Sequence, residues 1–569
     1  MTDVTDPVDA QATLHSLLTG PGSAYEVVEE DVRGNRLEVF KHRRRSLREM
    51  LEASAPYGER NFVVDGDVRL TFRDHLESAD AFGAALQDLH RVEPGDRVAI
   101  FAANRWEWIV AFWAVTGIGA IPAAFNGWWT PDETAHAIGL IEPVLVIGDK
   151  PRLERVTEAG IDVATFDLDE MPSVATAYRG RHPRVPEVDE DDTAMLIFTS
   201  GTTGRPKAVM VPHRSVLGFV QVSGFSEAFA GVATGRPVPA PGDRLPASDD
   251  VVLVTSPLFH VSMIEGMVIM AVERGSSIVL LPGRFDPERV LQTIERERIT
   301  LWPALGSAAP RVCASPDVGK FDTSSLRRLA IGGAPVSPAV QQRLRHTFPS
   351  ASRSVSMGYT STEGGAVVAH IAGEEYRAHP TSTGHFTVTS QVELRDPDDR
   401  PVPEGEEGEV HVRSAYIMLG YWNNPEASAA ALKPGGWLAM GDIGRIEAGR
   451  LYLDSRARDM ILVSAENVSP NEVEYCLEEH RGVAEAAVFA VDDPLTGDAV
   501  CAVVSVSPGV AVSPDELSGW CRSRLAHYKV PTHWYLVYEP LPRTASGKIV
   551  KHQLRAQAAD GTLVGRSQA

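Results

Sequence analysis

A run of nine residues rich in hydroxyl groups and glycine follows a short apolar stretch and ends on a lysine. The apolar stretch Ala194–Phe198 predicts a strand, and the residues after it are Thr199, Ser200, Gly201, Thr202, Thr203, Gly204, Arg205, Pro206 and Lys207. Glycines let backbone N–H groups approach phosphate oxygens, hydroxyls add hydrogen-bond donors, and the lysine adds a positive charge. A turn without a ligand is the alternative, which the hydroxyl density and Lys207 disfavour. The sequence therefore predicts a phosphate-binding loop after a strand.

This loop is not a Walker A loop, because that motif has glycine directly before its lysine and Pro206 stands there instead. Its positive charge contrasts with the rest of the chain, which has 54 Lys and Arg against 76 Asp and Glu and a net charge of −22. So acidic a surface repels phosphate backbones, and this disfavours a nucleic-acid-binding protein. An anionic substrate is expected to bind in a locally positive pocket.

The length of 569 residues corresponds to several domains, since a typical domain has about 150 residues. Hydrophobic residues at 43% and charged residues at 23% are typical of a globular enzyme rather than a disordered, collagen-like or coiled-coil chain. The four cysteines lie far apart without metal-binding or disulfide spacing, which favours a reducing, cytoplasmic location: Cys313, Cys476, Cys501 and Cys521. The acidic N-terminal segment lacks the pattern of a signal peptide.

The longest apolar stretch runs from Trp108 to Phe125 and is interrupted by Gly117, Gly119 and Pro122. A membrane span is one interpretation of its length. The glycines and the proline favour a buried helix followed by a buried strand, so we expect no integral membrane span.

From Asp250 onward, short β-rich segments alternate with amphipathic helices, which predicts a mainly parallel sheet with both faces covered. Strands are predicted at Val251–Val254, Ser277–Leu281 and Arg328–Ile331, and helices begin at Asp286-Pro287 and Ser337-Pro338. Ligands of such sheets bind at the carboxyl ends of the strands.

The last part of the chain has a different order of elements. Helices are predicted after Ser469-Pro470 and Ser513-Pro514, and strands at Val483–Val491, Ala499–Ser507 and Trp534–Tyr538. This order predicts a small α+β domain over residues 460–569. The polar run 455–459 is suited to a hinge between it and a large domain over residues 1–454, and the Gly/Pro-rich stretch 231–248 is typical of a surface loop.

Six motifs, in order along nearly the whole chain, resemble those of the adenylate-forming enzymes, a superfamily that includes the acyl-CoA synthetases. They are Thr199–Lys207, Gly332–Pro335, Gly358–Glu363, Gly436–Asp442, Ser455–Asp459 and Pro542–Lys548. The resemblance implies an α/β fold: a large N-terminal domain of mainly parallel sheets flanked by helices plus a small barrel-like subdomain, with a small mobile α+β C-terminal domain.

The resemblance also implies the nucleotide site. Gly333, Ala334 and Pro335 are expected at the adenine, together with Gly358, Tyr359 and Thr360, of which Tyr359 offers a stacking face. Thr362 is expected at the α-phosphate, Asp442 at the ribose, and Arg456 at the ribose or phosphate. Glu363 and Thr199 are expected to hold Mg²⁺. Without the family, Tyr359 is more typical of a half-buried strand-end aromatic, and Thr362-Glu363 of a helix cap. A turn aspartate is about as typical for Asp442, and a solvated hinge charge is the alternative for Arg456.

The implied reaction has two steps. A carboxylate attacks the α-phosphorus of ATP, giving an acyl-adenylate and pyrophosphate, and a thiol, that of coenzyme A, then displaces AMP. Lys548 is implied as the catalytic lysine of the first step, where it neutralises charge between two anions. The small domain is implied to rotate about Arg458 between the steps.

The sequence departs from the family pattern at three places. Ser464-Ala465 replaces a glycine pair beside the thiol channel, Arg458 replaces a more usual Lys or Asp, and Met440 replaces Thr or Ser. The first departure leaves a carrier protein open as the acceptor in place of coenzyme A. A nucleotide-binding protein without turnover is a further alternative, which the presence of Lys548 and Glu363 disfavours.

In relatives the acid-binding pocket is built by segments that in this chain contribute Phe259, Met263, Met267, Leu305 and Met357. His260 is expected at its mouth as a catalytic residue, with an ordinary strand-end histidine as the equal alternative. This apolar, methionine-rich lining predicts a hydrophobic acid, with a medium- or long-chain fatty acid preferred and an aromatic or steroid side-chain acid as alternatives. The sequence leaves a homodimer open.

Overall fold

The computed structural model describes residues 7–200, 205–242, 246–281, 283–306, 308–333, 336–456, 459–463, 466–493, 497–544, 547–563 and 566–568. Within these residues the strands form a hairpin and three larger sheets. The hairpin pairs β1 (Val27–Val32) with β2 (Asn35–Phe40).

The first large sheet has the strand order β20-β10-β9-β6-β5-β7-β8. Its strands are β5 (Arg97–Phe101), β6 (Ile121–Ala124), β7 (Leu145–Gly148), β8 (Thr165–Asp167), β9 (Thr193–Ser200), β10 (Pro206–Pro212) and β20 (Gly420–Tyr421). The strands from β9 to β8 are parallel, whereas β10 turns back antiparallel to β9. The predicted phosphate loop therefore connects two strands of a hairpin.

The largest sheet has the order β18-β19-β22-β23-β17-β16-β15-β14-β13-β11-β12-β3-β4, with β21 paired to β22. Its first strands are β3 (Asn61–Asp65), β4 (Val68–Thr71), β11 (Val251–Val254), β12 (Ser277–Leu280), β13 (Leu301–Pro303), β14 (Arg328–Ile331) and β15 (Val355–Tyr359). Its later strands are β16 (Ala369–Ala372), β17 (Ser382–Phe386), β18 (Ser390–Arg395), β19 (Gly408–Ser414), β21 (Leu432–Lys433), β22 (Trp437–Glu447) and β23 (Arg450–Arg456). The half from β3 to β15 is parallel, as predicted, and the half from β16 to β23 is antiparallel.

The C-terminal sheet has the order β25-β24-β27-β28-β29, with β26 paired to β27. Its strands are β24 (Ile461–Val463), β25 (Glu466–Val468), β26 (Val483–Asp493), β27 (Gly497–Val506), β28 (His533–Val537) and β29 (Arg566–Gln568). This sheet and its helices share their own apolar core, which includes Val473, Cys476 and Leu477, as predicted. The chain is thus an α/β protein with large mixed sheets and a smaller C-terminal α+β unit; the domain limits stay a prediction.

Helices pack against these sheets. In the first half of the chain they are α1 (Pro7–Thr19), α2 (Leu47–Ala53), α3 (Phe72–Leu89), α4 (Trp106–Gly117), α5 (Pro131–Ile141), α6 (Lys150–Glu158), α7 (Met171–Ala177), α8 (His213–Ala233), α9 (Val261–Met263) and α10 (Met270–Arg274). In the second half they are α11 (Pro287–Arg296), α12 (Ala308–Cys313), α13 (Pro338–Thr347), α14 (Gly373–Ala378), α15 (Pro425–Ala431), α16 (Pro470–Glu478), α17 (Pro514–Arg522) and α18 (Lys551–Ala559). The predicted caps are confirmed, since Asp286 accepts from the Glu288 amide and Ser337 from the Val340 amide.

The long apolar stretch is the buried helix α4 followed by the buried strand β6, as predicted. Gly119 between them has a φ of +73°, and a Cβ at this position would lie 2.5 Å from Pro186 Cγ, so the turn requires glycine. By length and composition, one described helix, α8, could cross a membrane. It packs against β9, β10 and α1, and its buried Arg214 pairs with Asp191, as a core helix does.

The predicted hinge begins at the end of a strand. Asp454, Ser455 and Arg456 belong to β23, which pairs with β22 over this stretch, so this part of the polar run continues a strand. Ala457 and Arg458 lie outside the described residues. The hinge role of Arg458 remains a prediction.

Candidate active site

The two sides of the predicted phosphate loop face each other across the β9–β10 hairpin. Its register places Thr199 opposite Lys207, so both residues stand at the same end of the sheet. Gly201, Thr202, Thr203 and Gly204 lie outside the described residues, and of Ser200 only the backbone is described. A hairpin, rather than a strand and helix as in a Walker A loop, presents the cation to the site.

Four side chains meet at this end of the sheet and form what we call the phosphate-side cluster: Thr199, Lys207, Glu363 and Tyr421. The Thr199 hydroxyl donates to Glu363 Oε1 over 3.2 Å, and the Tyr421 hydroxyl donates to the same oxygen over 3.1 Å. Lys207 Nζ lies 4.9 Å from the centroid of the Tyr421 ring, which is a cation–π contact. Burial, followed by the charge of Glu363, raises the pKa of Tyr421 far above its usual value, so it stays a donor.

Tyr421 was not predicted. It lies in the two-residue strand β20, which adds to the edge of the sheet beside β10. No local motif marks it, since only this pairing brings it to Glu363. The cluster offers a carboxylate and hydroxyl oxygens, the ligand types that Mg²⁺ prefers, and thus fits the expected ion.

Hydrogen bonds to backbone carbonyls hold the segment after β15, which carries Glu363. The Met418 amide donates to the Glu363 carbonyl over 2.9 Å. The Thr360 hydroxyl donates within its own turn, to the carbonyls of Gly365 at 3.0 Å and Ala366 at 3.1 Å. The Thr360 hydroxyl is therefore engaged by protein, whereas Thr362 is half-buried beside Glu363. The roles of both at the nucleotide stay predictions.

Tyr359 and Asp442 form the predicted ribose side. The Tyr359 hydroxyl donates to Asp442 Oδ2 over 2.7 Å, and Arg456 Nε lies 3.3 Å from Asp442 Oδ1. The register of β22 and β23 places Arg456 opposite Asp442. Tyr359 is 7% exposed, and burial together with the Asp442 carboxylate raises its pKa well above the usual value. The contact fixes Asp442, while stacking of adenine on the Tyr359 ring remains a prediction.

Glycines open the space at the ends of β14 and β15. A Cβ at Gly332 would lie 3.5 Å from the Gly358 carbonyl oxygen and 3.7 Å from Met357 Sδ, and a Cβ at Gly333 would lie 3.9 Å from Leu305 Cβ. The carboxyl ends of β13, β14 and β15 therefore lie close together. That the nucleotide and the acid bind there stays a prediction. Ala334 and Pro335 lie outside the described residues.

The charge of Lys548, from the C-terminal unit, acts on the buried ring of His260. Burial, and after it the positive charge of Lys548, lowers the pKa of His260 to about 4, so the imidazole is neutral near pH 7. His260 Nε2 is enclosed and has no hydrogen-bond partner among the described residues. The catalytic role of both residues stays a prediction.

The lysine loop is folded back on itself. The Lys548 amide donates to Thr544 Oγ1 over 3.2 Å, and the Thr544 amide donates to the Lys548 carbonyl over 2.8 Å. Arg543 Nη1 donates to the Gly547 carbonyl over 2.8 Å, and Arg543 also pairs with Glu485 of β26. The C-terminal sheet therefore holds the base of this loop.

A contact between α16 and α13 joins the C-terminal unit to the larger part of the chain. Glu478 at the end of α16 lies near Ser337, the cap of α13. Burial raises the pKa of Glu478 to about 7, with the neighbouring Glu474 adding to the effect and with Ser337 and Arg343 opposing it. This interface between the C-terminal unit and the larger part of the chain is therefore titratable.

The residues predicted to line the acid pocket lie in apolar cores, and their role as a pocket lining stays a prediction. Phe259 and Met263 are buried in one apolar core, against which Met267 and Leu305 pack, and Met357 belongs to a second core. The same segment carries Glu265, a buried carboxyl group that no sequence signal marked. Ser464 and Ala465, which bear on the thiol channel, lie outside the described residues.

Comparisons with known proteins agree with this geometry. The profile of the AMP-binding enzyme family matches residues 51–422, and that of the AMP-binding enzyme C-terminal domain matches residues 472–548. A Rhodococcus jostii (strain RHA1) protein named 3-[(3aS,4S,7aS)-7a-methyl-1,5-dioxo-octahydro-1H-inden-4-yl]propanoyl:CoA ligase is 31% identical over 534 residues, which are 89% of this chain and 97% of the relative.

A feruloyl-CoA synthase from Amycolatopsis sp is 33% identical over 479 residues, 82% of this chain and 89% of the relative. Among solved structures, an anthranilate CoA ligase in complex with anthranoyl-AMP superimposes with a TM-score of 0.82 at 25% identity, covering 92% of this chain and 99% of that protein.

Proposed function

This chain belongs to the AMP-binding enzyme family, and we propose that within the family it activates an acid that carries a ring system, either aromatic or polycyclic. The chain is an AMP-forming acid–CoA ligase, which uses ATP, Mg²⁺ and coenzyme A and proceeds through an acyl-adenylate. The proposal concerns the identity of the acid.

The observation that carries the proposal is the similarity over nearly full length to ligases named for ring acids. The relative covered over 97% of its length is named for a dioxo-octahydroindenyl propanoate, and others are named for ferulate and 4-coumarate. These names favour the aromatic and steroid-type alternatives over the medium- or long-chain fatty acid expected first. Phe259, Met263 and Leu305, which are expected to line the acid pocket, are apolar and suit a rigid ring, which loses little conformational entropy on binding.

In the first step the acid's carboxylate attacks the α-phosphorus of ATP, the bond to the β-phosphate breaks, and pyrophosphate leaves. The charge of Lys548 acts at His260, and the Lys548 ammonium is proposed to neutralise the two anions that must meet. The neutral His260 adds no competing charge. Glu363, held by Thr199 and Tyr421, is the residue proposed to hold Mg²⁺, which when bound neutralises charge on the phosphates.

In the second step the thiol of coenzyme A attacks the acyl carbonyl, the mixed anhydride breaks, and AMP leaves. The role of Lys548 ends with the first step. The Arg543–Glu485 pair attaches the lysine loop to the C-terminal sheet, so we expect the loop and this sheet to move together. We propose that release of the Glu478–Ser337 contact accompanies this movement.

The experiment is an acid panel with ATP and Mg²⁺, with and without coenzyme A, in which AMP release and thioester formation are followed. We expect thioester only with coenzyme A, and a higher kcat/KM for ferulate, 4-coumarate and polycyclic propanoates than for decanoate or palmitate. A higher kcat/KM for the two fatty acids would overturn the ring-acid proposal. Acyl-adenylate that accumulates equally with and without coenzyme A would favour a carrier protein as acceptor.

A further inference from the structure

A buried connection between β19 and β20 lies against the phosphate-side cluster. Residues 415–419 belong to neither strand, and four of them are at most 4% exposed: Ala415, Tyr416, Ile417 and Met418. Buried backbone outside a sheet needs hydrogen-bond partners within the protein for its carbonyl oxygens, because water is excluded. The partners of this connection therefore show what determines its position.

Arg33 supplies such partners from the tip of the N-terminal hairpin. Its Nη2 donates to the Ala415 carbonyl over 2.9 Å, and its Nη1 donates to the carbonyls of Ile417 at 3.2 Å and Met418 at 3.3 Å. On another side, Arg33 Nε lies 3.8 Å from Asp191 Oδ1. Because a guanidinium presents several donors in one rigid plane, a single side chain fixes three carbonyls that follow it by 382 to 385 positions in the chain.

The backbone at the tip of this hairpin is unusual for an arginine. Arg33 and Gly34 form the two-residue turn between β1 and β2, and both have a positive φ, +53° and +78°. The first position of such turns favours asparagine, aspartate or glycine, since other side chains are strained in the left-handed region. Strained residues persist where the surrounding contacts hold them, and they cluster at functional positions. The backbone therefore points, independently of the hydrogen bonds, to a functional role for the Arg33 side chain.

The connection held by Arg33 contacts Glu363 at two points. The Met418 amide donates to the Glu363 carbonyl over 2.9 Å. The Tyr421 hydroxyl, two residues beyond the connection, donates to Glu363 Oε1 over 3.1 Å. Met418 thus accepts from Arg33 through its carbonyl and donates to Glu363 through its amide, so one residue joins the hairpin tip to the carboxylate-bearing segment.

The connection has little room to shift relative to its neighbours. A Cβ at Gly365, in the turn after Glu363, would clash with the Tyr416 carbonyl oxygen. The Leu419 amide donates to the Met210 carbonyl of β10 over 3.0 Å, which ties the connection to the phosphate-loop hairpin. A displacement of the connection would therefore disturb both the turn that follows Glu363 and the strand that carries Lys207.

We propose that Arg33 is a positioning residue for the first half-reaction, which orients the Glu363 carboxylate for Mg²⁺ through the connection 415–419. This inference rests on the proposed role of Glu363 at the metal ion and deepens it, because it names the group that sets the geometry of that carboxylate. Residues that orient a metal ligand contribute to metal affinity although they do not touch the ion. The hairpin precedes residues 51–422, so this support comes from outside the region that the family profile matches.

The test uses Arg33→Met on the full chain, which removes the donors and keeps an unbranched apolar stem. ATP–pyrophosphate exchange is measured over a range of Mg²⁺ concentrations, with an acid that the parent enzyme activates. Thioester formation from synthetic acyl-adenylate and coenzyme A is measured separately. This second assay needs no metal ion at the phosphates, since pyrophosphate has already left, so only the first assay depends on the orientation of Glu363.

We expect Arg33→Met to raise the Mg²⁺ concentration for half-maximal exchange by about tenfold, because the ligand is no longer held in place. Thioester formation from the acyl-adenylate should stay at the parent rate. Arg36→Met is the matched control, since Arg36 stands on the same hairpin and pairs with Glu29 on its exposed side. This variant should follow the parent in both assays.

Val39→Ala separates positioning from stability. Val39 is 0% exposed in β2 of the same hairpin, so the variant should lower the melting temperature through the loss of buried methyl groups and keep the Mg²⁺ dependence of the parent. The inference is overturned if Arg33→Met slows both half-reactions to the same extent. It is also overturned if Val39→Ala raises the Mg²⁺ requirement as much as Arg33→Met, because the hairpin would then act through stability alone.

The variant Glu363→Gln distinguishes this outcome from failure of the proposed role of Glu363. If Glu363→Gln exchanges pyrophosphate with the Mg²⁺ dependence of the parent, the proposed role is wrong and the inference falls with it. If Glu363→Gln loses exchange while Arg33→Met keeps the Mg²⁺ dependence of the parent, the inference alone is overturned.

Discussion

Thr199 and Glu363 are 164 positions apart in the chain, and their side chains form a hydrogen bond of 3.2 Å from Thr199 Oγ1 to Glu363 Oε1. This contact joins the phosphate-loop hairpin to the segment after β15, so that two motifs from different sheets act as one site. The hydroxyl of Tyr421, in the edge strand β20, donates a hydrogen bond to the same oxygen of Glu363.

Replacing Glu363 by Gln should lower the rate of ATP–pyrophosphate exchange by about 100-fold or more, because the neutral amide is a poor ligand for Mg²⁺ at the phosphates. Exchange of labelled pyrophosphate into ATP measures this step. Glu374→Gln, on the surface next to Arg377, is the matched control and should leave exchange unchanged. If Glu363→Gln exchanged pyrophosphate at the parent rate at an ordinary Mg²⁺ concentration, Glu363 would not be a ligand of the metal ion.

Lys548→Ala should abolish acyl-adenylate formation while sparing the second half-reaction, since its ammonium serves only the step in which two anions meet. The two halves are separated by supplying either ATP and acid, or synthetic acyl-adenylate and coenzyme A. Lys529→Ala, whose ammonium pairs with Glu472 on the C-terminal unit, should behave as the parent in both assays. Loss of both half-reactions to the same extent would contradict a role confined to the first.

Tyr359→Phe should raise KM for ATP by about 10- to 100-fold, because a hydrogen bond to a charged group contributes about 1.5–3 kcal/mol and Asp442 would lose its fixed orientation. Steady-state kinetics at saturating acid and coenzyme A measure the effect. If KM for ATP stayed the same and only the melting temperature fell, the contact would be structural rather than part of nucleotide binding.

The closed arrangement of the two units should weaken as pH rises. Glu478 has a folded-state pKa of about 7, raised from 4.5 by burial and lowered in part by Ser337, so protonation at low pH removes the cost of burying its charge at this interface. That stabilisation is fully present below about pH 4.5 and is lost as the pH rises through about 7. Arg343, which lowers this pKa, and Glu474, which raises it, are the neighbouring charged groups.

Adenylation measured between pH 5.5 and 8.5 tests this dependence. The difference between parent and Glu478→Gln should grow toward high pH, because glutamine cannot ionise and keeps the contact with Ser337. Glu472→Gln, on the exposed side of the same helix, should follow the parent. Parallel profiles for parent and Glu478→Gln would show that the interface does not respond to this group.

Much of the secondary structure could be predicted because its signals are local. The strand Arg328–Ile331 and the capped helices after Asp286 and Ser337 follow from side chains within a few residues of each boundary. The antiparallel half of the large sheet did not follow from such signals. Its pairing, like the continuation of β23 to Arg456, depends on a partner strand elsewhere in the chain.

By itself, the sequence determined which segments carry the chemistry: a phosphate loop ending on Lys207, a carboxylate at Glu363, and a lysine at Lys548. Glycines, hydroxyls and charges at set spacings are local requirements of phosphate binding and can be seen without a fold. Only the tertiary structure decided that Tyr421 joins Glu363, that Tyr359 holds Asp442, and that burial raises the pKa of Glu265. Hydrogen-bond partners and pKa values depend on burial, and burial arises from contacts between residues that are distant in sequence.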